Sequence, residues 1–130
     1  MLKVVTLYAG LLGLFYVYLS VRTIGFRRKA QISIGDGGDQ EMLRAIRMHA
    51  NFAEYTPLAL VLLVLMELQN SPSGLLHALG CLLVLARVAH AYGINSVQAP
   101  GKFRVGGMAG TFTTLVVSSL WLVSAFLGLV

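Results

Sequence analysis

An all-α membrane protein, folded as a four-transmembrane-helix bundle, is the fold class this sequence predicts, and three observations predict it. Of 130 residues, 57% are hydrophobic and only 12% charged, about half the charged share of an average globular chain. Mean hydropathy is +0.78, and the length accommodates about four spans of roughly twenty residues. Polar stretches rich in glycine, proline or charge divide the chain into four apolar blocks. The whole of residues 1–130 reads as one such domain.

The first span runs from about Leu2 to Ile24. Only Lys3 precedes its apolar core and no small-residue cleavage site follows, so an uncleaved span fits better than a secretory signal. Arg22, Arg27, Arg28 and Lys29 come at its end, and Gly35-Asp36-Gly37-Gly38 forms the first loop. Asp39 is suited to N-cap the second helix, with Glu41 in its first turn complementing the dipole. The uninterrupted apolar run of that helix, Pro57 to Met66, is too short to cross a bilayer, which needs about twenty residues. The helix must therefore carry its polar half, including Asn51 and Glu54, to membrane depth. Pro57 removes the hydrogen bond to the Ala53 carbonyl and predicts a kink. Glu67 to Gly74 reads as the second connection, Gly74 to Tyr92 as helix three with Arg87 and His90 near its end, and Gly93 to Arg104 as the third loop. Helix four runs from Val105 to the carboxyl end, and its opening Gly106-Gly107-Met108-Ala109-Gly110 offers a small-residue face for close packing.

The net charge of +5 does not mark a nucleic-acid partner, because the basic residues flank spans and form no soluble basic module. Their bias places the first and third loops in the cytoplasm and both termini on the opposite side. Cys81 is the sole cysteine, which excludes an intrachain disulfide and argues against a thiolate metal site. His49, His77 and His90 are too scattered for metal-ligand spacing.

Arg44, Arg47, Asn51, Glu54 and Tyr55 fall within an arc of about 100° on helix two, with His49 off that arc. Arg22, Arg87 with His90, and Lys102 with Arg104 reach the same depth from the other three helices. Ionisable groups there mark a functional site by default. Arginines suit carboxylates, Glu54 suits an ammonium, and Asn51 can donate to and accept from a peptide bond. Glutathione fits that inventory, as do other amphiphilic anions. Structural readings stand beside this one. Arg44 can snorkel to headgroups. Arg47, Asn51 and Glu54 can form a network that sets helix register. Arg87 can pair with Glu54 or meet a ligand, and His90 can be a packing histidine. Arg27, Arg28 and Lys29 serve as positive-inside anchors, Tyr8, Tyr16, Tyr18 and Trp121 as packing or interface residues, and His77 and Cys81 take no role.

Arg47-x-His49-x-Asn51-x-x-Glu54-Tyr55-x-Pro57 resembles the second-helix signature of the MAPEG family (membrane-associated proteins in eicosanoid and glutathione metabolism). Arg87-Val88-Ala89-His90 resembles the third-helix segment of its prostaglandin E synthase branch, and Arg104-x-x-Gly107 resembles bacterial members. Several eukaryotic members carry tyrosines one and two turns after the helix-three arginine, where this chain has His90 and Ile94. The resemblance covers essentially the whole chain. It implies an integral protein of a bacterial inner membrane and a homotrimer with glutathione sites between subunits, open to the cytoplasm. Arg47, Asn51, Glu54 and Tyr55 match glutathione-contacting positions of one subunit, and His49 a position reaching the neighbour's site. Arg22 matches an interface arginine, and Arg104, with Lys102 second, the thiol-activating arginine. Three functions remain open. One is a glutathione-dependent transferase or peroxidase acting on hydrophobic electrophiles or lipid hydroperoxides. Another is a non-catalytic lipid- or glutathione-binding scaffold. The third is a small transporter or channel subunit, which ranks last because the polar residues stop at one layer.

Overall fold

The computed structural model describes residues 2–130 as four helices: α1 (Val4–Ala30), α2 (Gln40–Leu68), α3 (Ser73–Ile94) and α4 (Gly101–Phe126). Each is long and apolar enough to cross a bilayer, so the predicted four-helix membrane bundle is the fold observed. Their outward faces carry residues such as Leu14, Val17, Leu58, Val61, Val116 and Leu120, which suits lipid rather than water. At its 29 residues, α2 is about 43 Å long, well over the roughly 30 Å of a hydrocarbon core.

Cross-helix contacts set the directions. Lys3 at the start of α1 meets Glu67 at the end of α2, and Ser20 late in α1 meets His49 early in α2. Gly93, near the end of α3, lies against the backbone of Phe103 and Arg104 at the start of α4. Successive helices are therefore antiparallel. Helices α2 and α3 touch every other helix, whereas α1 and α4 share no contact among the described residues. The core between them is mostly leucine and methionine, with Leu12, Leu19, Leu63, Met66, Leu76 and Leu83 almost fully buried.

The helix ends depart from the sequence-based boundaries for local reasons. Helix α1 continues past Ile24 to Ala30, because Arg27, Arg28 and Lys29 are good helix formers and their charge complements a C-terminal dipole. It stops in a Schellman motif: Gln31 adopts φ 56°, and the N–H of Ile32 donates to the Arg27 carbonyl at 3.1 Å. Arg27 then organises the following loop by donating to the Gly35 and Ser33 carbonyls at 3.0 and 3.3 Å. Asp39 caps α2 as expected, its carboxylate accepting from the N–H groups of Glu41 and Met42 at 2.8 and 2.9 Å. The helix runs on through Pro57 and includes Glu67 and Leu68, so the second connection begins at Gln69. Asn70, at φ 58°, closes α2 with the same motif, the Ser71 N–H donating to the Met66 carbonyl at 3.1 Å. Helix α4 begins at Gly101 behind Pro100, whose fixed φ suits a helix start. Lys102 and Arg104 thus belong to the first turn of α4 rather than to the third loop, and the helix ends at Phe126, short of the carboxyl end.

The α3–α4 contact is the tightest. Helix α4 buries Gly107, Thr111, Thr114 and Ser118 along one face. A Cβ on Gly107 would collide with the Ala86 carbonyl and with His90, and one on Gly110 would crowd Ala86. Gly106, in the same stretch, faces open space. Thr111 and Thr114 turn their hydroxyls back to the Gly107 and Gly110 carbonyls at 2.8 and 3.0 Å, so these two are satisfied within the helix, whereas the buried Ser118 hydroxyl has no partner. Close backbone approach through small residues is how membrane helices gain packing energy without a hydrophobic drive.

Glu67 caps a different helix from its own. Its carboxylate accepts from the backbone N–H groups of Lys3, Val4 and Val5 at 2.6, 2.8 and 2.8 Å. These are among the orphan donors of the α1 N-terminus, where negative charge is favourable. Nearby, Tyr8 packs against Gly80 and its hydroxyl lies 2.9 Å from His77 Nδ1, which ties α1 to α3. Glu67→Ala is expected to destabilise the protein by about 1–2 kcal/mol, with amide exchange accelerating first at residues 4–7. Thermal unfolding in detergent and hydrogen exchange would measure both, and unchanged protection at those amides would refute the cap.

Candidate functional site

Arg87 lies at the centre of the polar layer and is only 1% exposed. An isolated charge at membrane depth is costly, so its partners define the local structure. Nη2 donates to Asn51 Oδ1 at 2.5 Å and lies 3.4 Å from His90 Nδ1. Nη1 donates to Thr111 Oγ1 at 3.2 Å and approaches Met108 Sδ at 3.8 Å. The guanidinium carbon also sits 5.7 Å from the centre of the Phe52 ring. One side chain of α3 thereby binds α2 and α4 together. The Arg87–Glu54 pair, one of the two sequence-based options, does not form. Glu54 instead faces Arg47 at 3.9 Å, with both side chains about half exposed.

Beside Arg87 a groove of about 450 Å³ opens among α2, α3 and α4. It is lined by Asn51, His90, Arg104, Val105, Met108, Ala109 and Phe112. Tyr55 packs edge-on against Phe112, with ring centres 5.6 Å apart, and so borders the same groove. The Arg47–Glu54 pair stands on the exposed side of α2. The structure therefore gathers Asn51, His90 and Arg104 in one opening, with Tyr55 at its margin. Arg104 is exposed in the first turn of α4, free to turn toward a ligand.

The other expected site residues lie elsewhere in the chain. Arg22 donates to Asn95 Oδ1 at 2.5 Å, rests 4.7 Å from the Phe26 ring centre, and lines a smaller hollow of about 190 Å³ with Phe15, Tyr18 and Met48. His49 points toward α1, as its off-arc position implied: Nε2 is 3.0 Å from Ser20 Oγ, and its ring stacks on Tyr16. Lys102 is exposed, its ammonium 5.6 Å from the Phe103 ring centre. Within one chain, Arg22 and His49 thus do not join the Asn51–Arg104 groove.

A second cleft, of about 420 Å³, lies between α1 and α2 and is lined by Leu12, Gly13, Tyr16, Phe52, Thr56 and Pro57 among others. It is mostly apolar; its polar side chains are Tyr16 and Thr56, and the buried Thr56 hydroxyl has no partner. Sequence reasoning missed Thr111 and Met108 as partners of Arg87, the capping role of Glu67 and the Tyr8–His77 link. Thr111 stands one helical turn after Gly107, a position a search for hydroxyls beside the glycine face could have reached. The other contacts depend on helix rotation and leave no local signal.

The MAPEG family model matches residues 5–124. The chain is 34% identical over 118 residues to inner membrane protein YecN of Escherichia coli strain K12, covering 88% of each sequence. YecN of Escherichia coli O6:H1 strain CFT073 matches to the same extent. No solved structure gives a significant match.

Removing one partner of the buried guanidinium is expected to cost far more than removing the exposed pair. Asn51→Ala should lower stability by about 2–3 kcal/mol, and Arg47→Ala by at most about 0.5 kcal/mol. Circular dichroism melts in the same detergent would compare them, and equal losses would contradict the network.

Proposed function

The chain belongs to the MAPEG family, and on that premise we propose that it is a membrane-embedded glutathione-dependent transferase or peroxidase. It would activate the glutathione thiolate for attack on hydrophobic electrophiles or lipid hydroperoxides. The observation that carries this reading is the groove that joins Asn51 of α2 to Arg104 of α4, with the exposed Arg47–Glu54 pair on the same helix as Asn51.

In this reading Arg47 pairs with a glutathione carboxylate, Glu54 with its ammonium, Asn51 with a peptide group, and Tyr55 closes the margin. Arg87 takes part by holding Asn51. Arg104 faces the thiol, with Lys102 as a second cation. A free thiol has a pKa near 8.5, so only a few per cent is thiolate at neutral pH. Lowering that value by about two units takes roughly 2.7 kcal/mol, which one partly desolvated guanidinium can supply. With chlorodinitrobenzene, the thiolate forms the C–S bond as chloride leaves and the thiol proton passes to solvent. With a hydroperoxide, the thiolate takes the distal oxygen and releases the alcohol, and a second glutathione thiol then yields the disulfide and water.

One MAPEG-type unit over residues 1–130 would assemble as a homotrimer in the inner membrane. Loops 1 and 3 would face the cytoplasm, with both termini opposite. Arg22 and His49, displaced to the α1 side, would then serve the interface or a neighbour's site. The separation of α1 from α4 supports this, since each leaves a flank for another subunit. The lipophilic substrate would enter laterally from the bilayer. The apolar α1–α2 cleft favours a second reading, a lipid- or glutathione-binding scaffold without catalysis.

Calorimetry on the detergent-purified protein is expected to show saturable glutathione binding at or below the millimolar range, weakened about tenfold by Arg47→Ala or Glu54→Ala. Arg104→Ala is expected to lower conjugation and peroxide reduction by at least about tenfold while glutathione still binds. No saturable binding would refute the glutathione reading. Binding with the thiol pKa at its solution value would establish the scaffold.

A further inference from the structure

We propose that Arg87 is a positioning residue that makes the α2–α3–α4 groove a donor-presenting surface, selecting an acceptor such as a carboxylate or thiolate over an ammonium. The inference deepens the glutathione reading and rests on it for the identity of the ligand. The geometry that carries it belongs to the chain alone.

A guanidinium has five N–H donors and no acceptor. Each group that touches Arg87 must therefore spend an acceptor on it. Asn51 is intrinsically two-sided, with a carbonyl oxygen and an amide NH₂. The 2.5 Å contact to Arg87 turns Oδ1 toward the guanidinium, which leaves the NH₂ end of Asn51 for the groove. His90 is constrained in the same way. Its Nδ1 lies 3.4 Å from Arg87 Nη2, and to accept there it must keep its lone pair, so the ring hydrogen of the neutral form sits on Nε2. Thr111 is used on both sides, accepting from Arg87 at 3.2 Å and donating to the Gly107 carbonyl at 2.8 Å.

What remains among the polar lining side chains is an NH₂ group, a ring N–H and the Arg104 guanidinium, beside Val105, Met108, Ala109 and Phe112, with the Tyr55 hydroxyl, able to donate or accept, only at the margin. No carboxylate lines the groove, because Glu54 stands outside it against Arg47. Buried donors left without an acceptor are costly, so such a surface discriminates by what it would leave unpaired. An acceptor-only anion satisfies every one of them. An ammonium satisfies none and is repelled by Arg104. Glutathione would therefore place a carboxylate or its thiolate here, and its ammonium outside, toward Glu54.

The test has ligand-free and liganded arms. Histidine-ring ¹⁵N NMR on the ligand-free protein is expected to show His90 Nδ1 unprotonated and Nε2 protonated, and Arg87→Met to give a mixed tautomer. A mixed tautomer in the unmodified protein, or no change in Arg87→Met, overturns the proposal whether or not glutathione binds. In the liganded arm, Asn51→Asp keeps an acceptor for Arg87 but removes the NH₂. It is expected to preserve the melting temperature and weaken glutathione binding at least about tenfold. Glutathione diethyl ester masks both carboxylates and S-methylglutathione masks the thiol; the compound that loses at least about tenfold in affinity identifies the occupant. Undiminished binding of glutathione to Asn51→Asp, or of both masked compounds to the unmodified protein, overturns the proposal. Failure of glutathione itself to bind, with the His90 tautomer as expected, refutes the ligand reading and leaves the donor-presenting surface standing.

Discussion

A single buried guanidinium governs the middle of this bundle. Arg87 is enclosed by α2, its own helix and α4, and in a membrane interior it has no water to fall back on. Every neighbour is shaped by that need. Asn51 supplies an oxygen, Thr111 a hydroxyl, Met108 a sulfur and Phe52 a ring face. The small residues Gly107 and Ala86 let α3 and α4 come close enough for these groups to reach. Removing either the charge or the close approach would leave the other without purpose, which is why polar layer and glycine face occur at the same depth.

That arrangement separates support from recognition. The groups touching Arg87 are held fast, while Arg104 lines the groove exposed and the Arg47–Glu54 pair stands on the exposed side of α2. Exposed charges on long side chains cost little to reorient, and a preorganised neighbour limits what they must do on binding. The groove owes its chemistry to side chains from helices distant in sequence, and none of them alone would make a binding surface. Arg22 and His49, by contrast, already have partners in Asn95, just past the end of α3, and in Ser20 of α1. Their place in the chemistry depends on what another subunit brings.

Much of this was legible in the amino-acid order. Four spans follow from hydrophobic blocks long enough to cross a bilayer, and Asp39 announces the start of α2 by its side-chain chemistry. The polar layer follows from charges recurring at helical spacing. Helix ends were less legible because two of them close on Gln31 and Asn70 rather than on glycine, and because Pro100 opens α4 instead of interrupting a loop. The partner of Arg87 was not legible at all. Asn51 and Glu54 are one turn apart on the same face of α2, and only the rotation of that helix against α3 decides which one the guanidinium meets. Glu67 hid for a related reason: beside Gln69 and Asn70 it looks like a loop residue, and the amides it serves lie more than sixty positions away.

That distance bears on how the chain enters its membrane. The amides of Lys3, Val4 and Val5 leave the ribosome long before the carboxylate that satisfies them. Helix α1 on its own thus presents a bare positive pole, which headgroups or water must cover during synthesis. Only when α2 has folded back does Glu67 arrive, and the α1–α2 hairpin becomes the smallest piece of this protein with the α1 amino-terminal pole neutralised. The carboxylate latches the end of α2 to the start of α1, so the pole of the first span is completed by the second.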